Sequence, residues 1–403
     1  MDMFLLFSIL ITLAAVFSYT NIRFIKLPSG ISLMLMGLVV SIGLISIGKL
    51  SPGFTQSIKN SLLALDFSEF ILGIVLSFLL FGGSLHVKLE DIKASAKSIF
   101  SFATIGTLVS TFLIGTLTYL LMPVIGIQAP FIACLLFGAL ISPTDPIAVI
   151  GILGKSNLSK SIETNIVGES LFNDGIGVVV FITLLGISST GLENMSVCSI
   201  GILFAQEAIG GLLIGLAIGY LGFKLMKSIN DFQSEILISL AMVMGGYSLC
   251  SAIHVSGPLA MVVAGLFTGN RGRNKAMSDI TIDYLGKFWE VLESILNAVL
   301  FMLIGLELVI VNLQFNYLLV GLALAISLVV ARYISLVLPA FLFGLNKKFK
   351  KRYVDHHVLG LTPWWHLHCL SALSAIRIST GCFCTDNFYN RAIFNCCART
   401  NHG

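Results

Sequence analysis

Two short stretches of the chain carry side chains that hydrocarbon excludes. The first is Ser142-Pro143-Thr144-Asp145-Pro146, set inside an apolar run. The second is Gly168-Glu169-Ser170-Leu171-Phe172-Asn173-Asp174-Gly175. A charged side chain near the centre of a bilayer costs about 2.5–3.5 kcal/mol on insertion scales, so ionisable residues there are candidates for function. A proline inside a helix removes an amide donor and clashes with the preceding turn. Polar backbone freed in this way is tolerated at membrane depth only where it is buried in protein or lines a wet cavity. Residues 142–146 therefore read either as a proline kink with Asp145 capping the second half-helix, or as a broken helix presenting an ion site. In the second stretch Glu169 and Asn173 share one helix face, and Ser170 and Asp174 share the adjacent strip. These four side chains read either as a hydrogen-bonded staple between helices or as a cation and proton site. Arg332, deep in a later apolar run, is a candidate partner for Glu169.

The chemistry of such a set is exchange. A hard monovalent cation wants oxygen ligands, as other hard cations do: a carboxylate, hydroxyls, carbonyls and water. One carboxylate can hold a proton or a hard cation, and competition for it would couple the two flows. Because residue 173 is Asn and not a second acid, one ion trades for one proton, which is electroneutral. The transported Na⁺ and H⁺ are substrates, and nothing in the sequence asks for a cofactor. An intramembrane aspartyl protease built on Asp145 and Asp174 is a distant alternative. Such enzymes need a Gly-x-Gly-Asp context, and Asp174 follows Leu-Phe-Asn.

The elements that must position these residues are membrane spans. Hydrophobic residues make up 56% of the 403, and charged residues 11%, against about 25% charged in an ordinary soluble domain. That excludes a soluble enzyme, a nucleic-acid binder and a disordered chain, and the net charge of +4 is too small to suggest a polyanionic partner. Apolar runs of about 20 residues match a hydrocarbon core roughly 30 Å thick. Eleven are read, at 3–19, 29–48, 66–84, 99–124, 129–153, 164–188, 198–226, 234–254, 255–270, 283–308 and 316–344. The first lacks a basic leading segment and is read as a true helix and not a cleaved signal. Of the 24 basic residues, 17 fall in or beside loops that follow odd-numbered spans, and only Lys49 and Lys59 follow even-numbered ones. Basic loops stay in the cytoplasm, so the N-terminus lies outside and residues 345–352 inside. The expected class is an all-α polytopic protein of the inner cell membrane.

The Thr144-Asp145-Pro146 break followed by Gly168–Gly175 on the next span resembles the NhaP and NHE-type sodium–proton antiporters. The likeness extends over residues 1–353 through helix count, order and topology. It implies thirteen helices in two inverted repeats, about eleven of them present here, with a homodimer and elevator-like alternating access. It further implies that Asp174 binds the ion and the proton, that Thr144 and Ser170 add oxygen ligands, and that Asp145 and Asn173 support the crossing of broken helices. Glu169 is then a structural ion-pair member.

Residues 354–403 break this pattern. They hold five of the eight cysteines, five of the seven histidines and no membrane-length apolar run. The spacings match no standard zinc module. Trp364-Trp365-His366 must be encoded TGG TGG CAY, and a one-base advance forces Gly-Gly there. If Leu359 is CTG, the same shift permits Trp-Gly-Leu-Arg-Arg ahead of that pair, which resembles the family's Trp-Gly-Gly-Leu-Arg-Gly-Gly signature. The tail is therefore read as out of frame, and a transport-inactive, truncated remnant is the alternative to a working exchanger. Elsewhere, Gly211, Gly215 and Gly219 suggest close helix packing. His254 is read as a capping or packing residue before a pH sensor, and Cys134, Cys198 and Cys250 as buried thiols.

Overall fold

A computed structural model describes residues 3–27, 29–48, 73–126, 128–144, 160–190, 196–273, 276–307 and 315–342. Among them there are helices and no strands. The reason is the solvent: without water to satisfy backbone amides, an apolar run closes its hydrogen bonds within itself. The helices are α1 (Met3–Thr20), α2 (Ser29–Gly48), α3 (Leu76–Leu85), α4 (Leu89–Ser101), α5 (Thr107–Leu121), α6 (Phe131–Ile141), α7 (Lys160–Thr190), α8 (Val197–Lys227), α9 (Phe232–Ala252), α10 (Gly257–Phe267), α11 (Asp279–Glu307) and α12 (Phe315–Leu342). A π turn, Phe102–Gly106, joins α4 to α5 in one continuous rod. Each of the eleven expected spans thus has its helix. Five are long and apolar enough to cross a membrane by length and composition among the described residues: Ser8–Ile25, Leu89–Val124, Thr164–Ser189, Cys198–Lys227 and Phe232–Ala252.

Helix ends follow the local sequence. Asn21 closes the end of the first rod, its amide donating to the Leu27 carbonyl at 2.8 Å while its Oδ1 accepts from the Leu27 amide at 3.0 Å. Asp231 caps α9, accepting from the Ser234 amide at 2.9 Å and hydroxyl at 2.6 Å. Both bonds hold its carboxyl below the usual range. Ser256 caps α10 by accepting from the Leu259 amide at 3.3 Å, with Pro258 in the first turn, where a missing amide costs nothing.

The chain divides into two compact units. The first holds Met1–Ile99, Pro146–Gly175 and Ala205–Asn312. Its core gathers Phe81, Leu85, Met226, Val243, Met261 and Leu285 around the buried Trp289. A smaller cluster joins Leu10 of α1 to Val299, Met302 and Leu303 of α11. The glycines of α8 do what their spacing suggested. A Cβ at Gly211 would lie 2.8 Å from the Ser256 carbonyl, and one at Gly219 2.9 Å from Phe267, so α8 lies directly on α10. Lipid tails are as apolar as leucine, so close backbone approach of this kind supplies much of what holds helices together.

The second unit holds Phe100–Asp145, Ile176–Phe204 and Leu313–Gly403. Its core packs Ile114 and Met122 of the α5 rod against Phe137 of α6 and Leu324 and Ala331 of α12. Gly115 and Gly138 let α5 and α6 touch backbone to backbone.

Three readings change. The span expected from residue 99 begins at Leu89, because α4 is an amphipathic helix whose Lys93 and Lys97 break the apolar run without breaking the helix. His254 takes a left-handed φ of 55° in the turn before α10, and its carbonyl accepts from the Gln206 side chain at 3.3 Å. It is a turn residue. Cys134 and Cys250 are buried thiols, but Cys198 is exposed. The proposed tail, residues 354–403, and Asp145 lie outside the described residues.

Candidate functional site

In the first unit the site is built on α7. Asn165, Glu169 and Asn173 follow one another at four-residue spacing, and are 1%, 0% and 0% exposed. They form a fully buried polar strip along one helix face. Ser170, 1% exposed, begins the neighbouring strip, and Asp174, one turn further on, is half-buried. The strip is fixed by its neighbours. The Asn165 amide donates to the Ser95 hydroxyl of α4 at 3.1 Å. Gly168 admits the Ile99 side chain, 2.7 Å from where a Cβ would sit, and Gly175 admits Leu259 of α10 at 3.0 Å. The two glycines that bracket the motif are there for close packing, on either side of the carboxylates. Asp174 is thus the one acid of the motif that is not sealed, while Glu169 is. That difference suits a residue that must receive and release an ion.

In the second unit α6 stops at Ile141, and residues 142–144 leave the helix. The end is held by hydroxyls. Thr111 of α5 donates to the Ser142 hydroxyl at 3.1 Å, and Ser142 donates back to the Gly138 carbonyl at 2.7 Å. The Pro143 ring lies against Gly177 in the second half of α7. Thr144 is 7% exposed and Arg332 of α12 is 4% exposed. The Arg332 guanidinium donates to the Thr144 hydroxyl at 3.0 Å. A charge-assisted bond of this kind is about twice as strong as a neutral one. It ties the broken end of α6 to α12.

The sequence names Arg332 as a candidate partner for Glu169; within the second unit its guanidinium bonds Thr144. Three members of the polar framework, Asn165, Ser142 and Thr111, were assigned no role from the sequence. Asn165 was findable, since it precedes Glu169 by the same four residues that separate Glu169 from Asn173. Ser142 and Thr111 carried no signal, because isolated hydroxyls in apolar helices most often bond their own backbone.

Comparison with known proteins places the chain. Residues 10–362 match the family described as sodium/hydrogen exchanger, transmembrane. The Na(+)/H(+) antiporter NhaP of Pseudomonas aeruginosa is 44% identical over 355 residues, covering 88% of this chain and 83% of that protein. The Na(+)/H(+) antiporter NhaH of Halobacillus dabanensis is 32% identical over 299 residues, covering 73% and 71%. Among solved structures, the sodium proton antiporter MjNhaP1 of Methanocaldococcus jannaschii superposes with a TM-score of 0.68 at 18% identity, over 93% of this chain and 92% of that one. At that identity the superposition speaks for the fold alone. The family match and the relatives together establish that this chain belongs to the sodium/hydrogen exchanger family of membrane proteins.

Proposed function

We propose that the chain exchanges Na⁺ for H⁺ across the inner cell membrane, one for one, with Asp174 carrying either ion. The observation that carries this is the α7 motif: Glu169 and Asn173 fully buried, and Asp174 alone among its acids half-open. Ser170 and Thr144 supply oxygen ligands, Asp145 and Asn173 support the helix break, and Glu169 and Arg332 hold the frame. The similarity to proteins named Na(+)/H(+) antiporters favours a working exchanger over an inert remnant. Monovalent cations and protons are the substrates, and a homodimer with alternating access is the working form.

Asp174→Asn tests the assignment. In vesicles that contain the protein, added sodium should drive a pH change with the parent chain and none with the variant, at equal protein levels. Undiminished exchange by the variant removes Asp174 from this role. The sidedness, N-terminus outside, has a reporter already in place. Cys198 is exposed at the start of α8 and should label from outside with an impermeant reagent, whereas cysteines placed at Lys93 and Lys224 should not. We also propose that the exchanger domain ends near residue 353. Adjusting one base near codon 354 should then raise exchange above that of the 403-residue chain; equal exchange would mean that the tail belongs to the working protein.

A further inference from the structure

Away from α7, the first unit brings an arginine and a histidine side chain to one point. Gly286 lies on α11. A Cβ there would sit 3.7 Å from Nη2 of Arg273 and 3.8 Å from Cε1 of His86. The two groups come from different segments, Arg273 from the turn after α10 and His86 from the turn between α3 and α4, and both stand within van der Waals contact of the position that a Cβ would take at 286.

The convergence is built, because Asn270 fixes both turns. Its Oδ1 accepts from the Leu89 amide at 2.8 Å, and its Nδ2 donates to the Val87 carbonyl at 2.9 Å and to the Leu266 carbonyl at 2.9 Å. The residues flanking His86 are thereby pinned to the end of α10. Nearby on α11, Lys287 is paired with Asp283 at 2.7 Å. Arg271, two residues before Arg273, is engaged elsewhere, 5.7 Å over the Phe267 ring. Glu290, one turn beyond Gly286, acts on His86 through its charge but is solvent-exposed. Burial and the Arg273 charge both hold the His86 imidazole below its ordinary value, against Glu290, and burial lowers Arg273 as well. The fold thus sets His86 beside the Arg273 charge, which disfavours a charge on the imidazole.

We propose that the notch over Gly286, between Arg273 and His86, is a binding site for a phosphate-type anion, either free phosphate or the headgroup of an anionic lipid. A guanidinium offers a planar pair of donors that matches two phosphate oxygens, and an imidazole adds a third donor. A bound anion offsets the Arg273 charge, which otherwise disfavours a second proton on the imidazole. The basic loops assign this end of the molecule to the cytoplasm, where the leaflet is anionic and attracts exposed Lys and Arg; Lys88 and Arg271 are exposed beside the notch.

The test is thermal unfolding of the full chain in neutral detergent. The added probes are inorganic phosphate, with chloride at equal ionic strength as control, and short-chain phosphatidylglycerol, with phosphatidylcholine as control. Two variants accompany the parent: Arg273→Gln removes the donor fork, and Gly286→Leu fills the notch while keeping both side chains. The site predicts that phosphate, phosphatidylglycerol or both stabilise the parent beyond the matching control, and that each variant raises the half-saturating concentration at least tenfold. A response to phosphate identifies the free anion, and a response to phosphatidylglycerol alone identifies the lipid. No stabilisation by either probe, or equal stabilisation of the parent and both variants, overturns the proposal.

Discussion

Helices α7 and α8 are each 31 residues long and nearly equal in mean hydropathy, yet 67% of the α7 span is buried and only 17% of the α8 span. Helix α7 spends its buried surface on a polar strip, Asn165-Glu169-Asn173, that hydrocarbon would reject. Helix α8 turns Ile209, Leu213 and Leu221 outward, at 56%, 62% and 58% exposed, and keeps glycines on the face toward α10. Hydropathy cannot tell the two apart. What separates them is where the small and the polar residues fall around the helix. Polar groups face protein because only protein can partner them, and large apolar groups face outward because lipid accepts them at no cost.

The contrast can be broken from either side. Glu169→Ala on α7 should have the largest effect on stability: removing one member of a buried charged set costs about 3–5 kcal/mol when its partners stay behind. A denaturation midpoint close to that of the parent would mean that the strip is not a coupled network. Gly215→Leu on α8 comes next. Its Cβ would meet the Ala260 backbone, and overpacking of that kind costs about 1–3 kcal/mol. An unchanged melting profile would separate α8 from α10. Leu213→Ala, on the outward face of the same helix, should stay within about 0.5 kcal/mol of the parent, as surface substitutions do; a larger loss would reveal that another surface covers it. The smallest effect is at the start of α9. The folded-state pKa of Asp231 is lowered by Ser234, so its contribution is present above its unfolded value and fades as pH falls through the lowered folded one. Asp231→Asn should keep the cap and flatten that acid-side dependence in a pH series of melting curves.

Much of this was legible beforehand. The span expected at 29–48 is α2, residue for residue, and the α8 glycines announced their packing by a four-residue repeat. The failures have a common physical cause. The start of α4 was missed because Lys93 and Lys97 sit on one wet face of a helix whose other face is apolar, and a run-length criterion averages the two. Cys198 was misplaced because a thiol near a span end says nothing about which way it faces. The Arg332–Thr144 bond joins residues 188 apart, and no local spacing encodes a contact of that kind. The α7 motif was readable because its chemistry is compressed into eight consecutive positions, 168–175; the framework around it, from Thr111 to Arg332, is scattered over the chain and needed the fold.

The central claim is that one carboxylate, Asp174, trades one sodium ion for one proton. Uptake of radioactive sodium into proteoliposomes, driven by an outward-directed proton gradient with the membrane potential clamped, tests it directly. The account predicts uptake that follows the pH gradient, does not respond when a potential is imposed, is inhibited competitively by external protons, and disappears in Asp174→Asn. Uptake that tracks the imposed potential, or an Asp174→Asn variant that takes up sodium at the parent's rate, would contradict it.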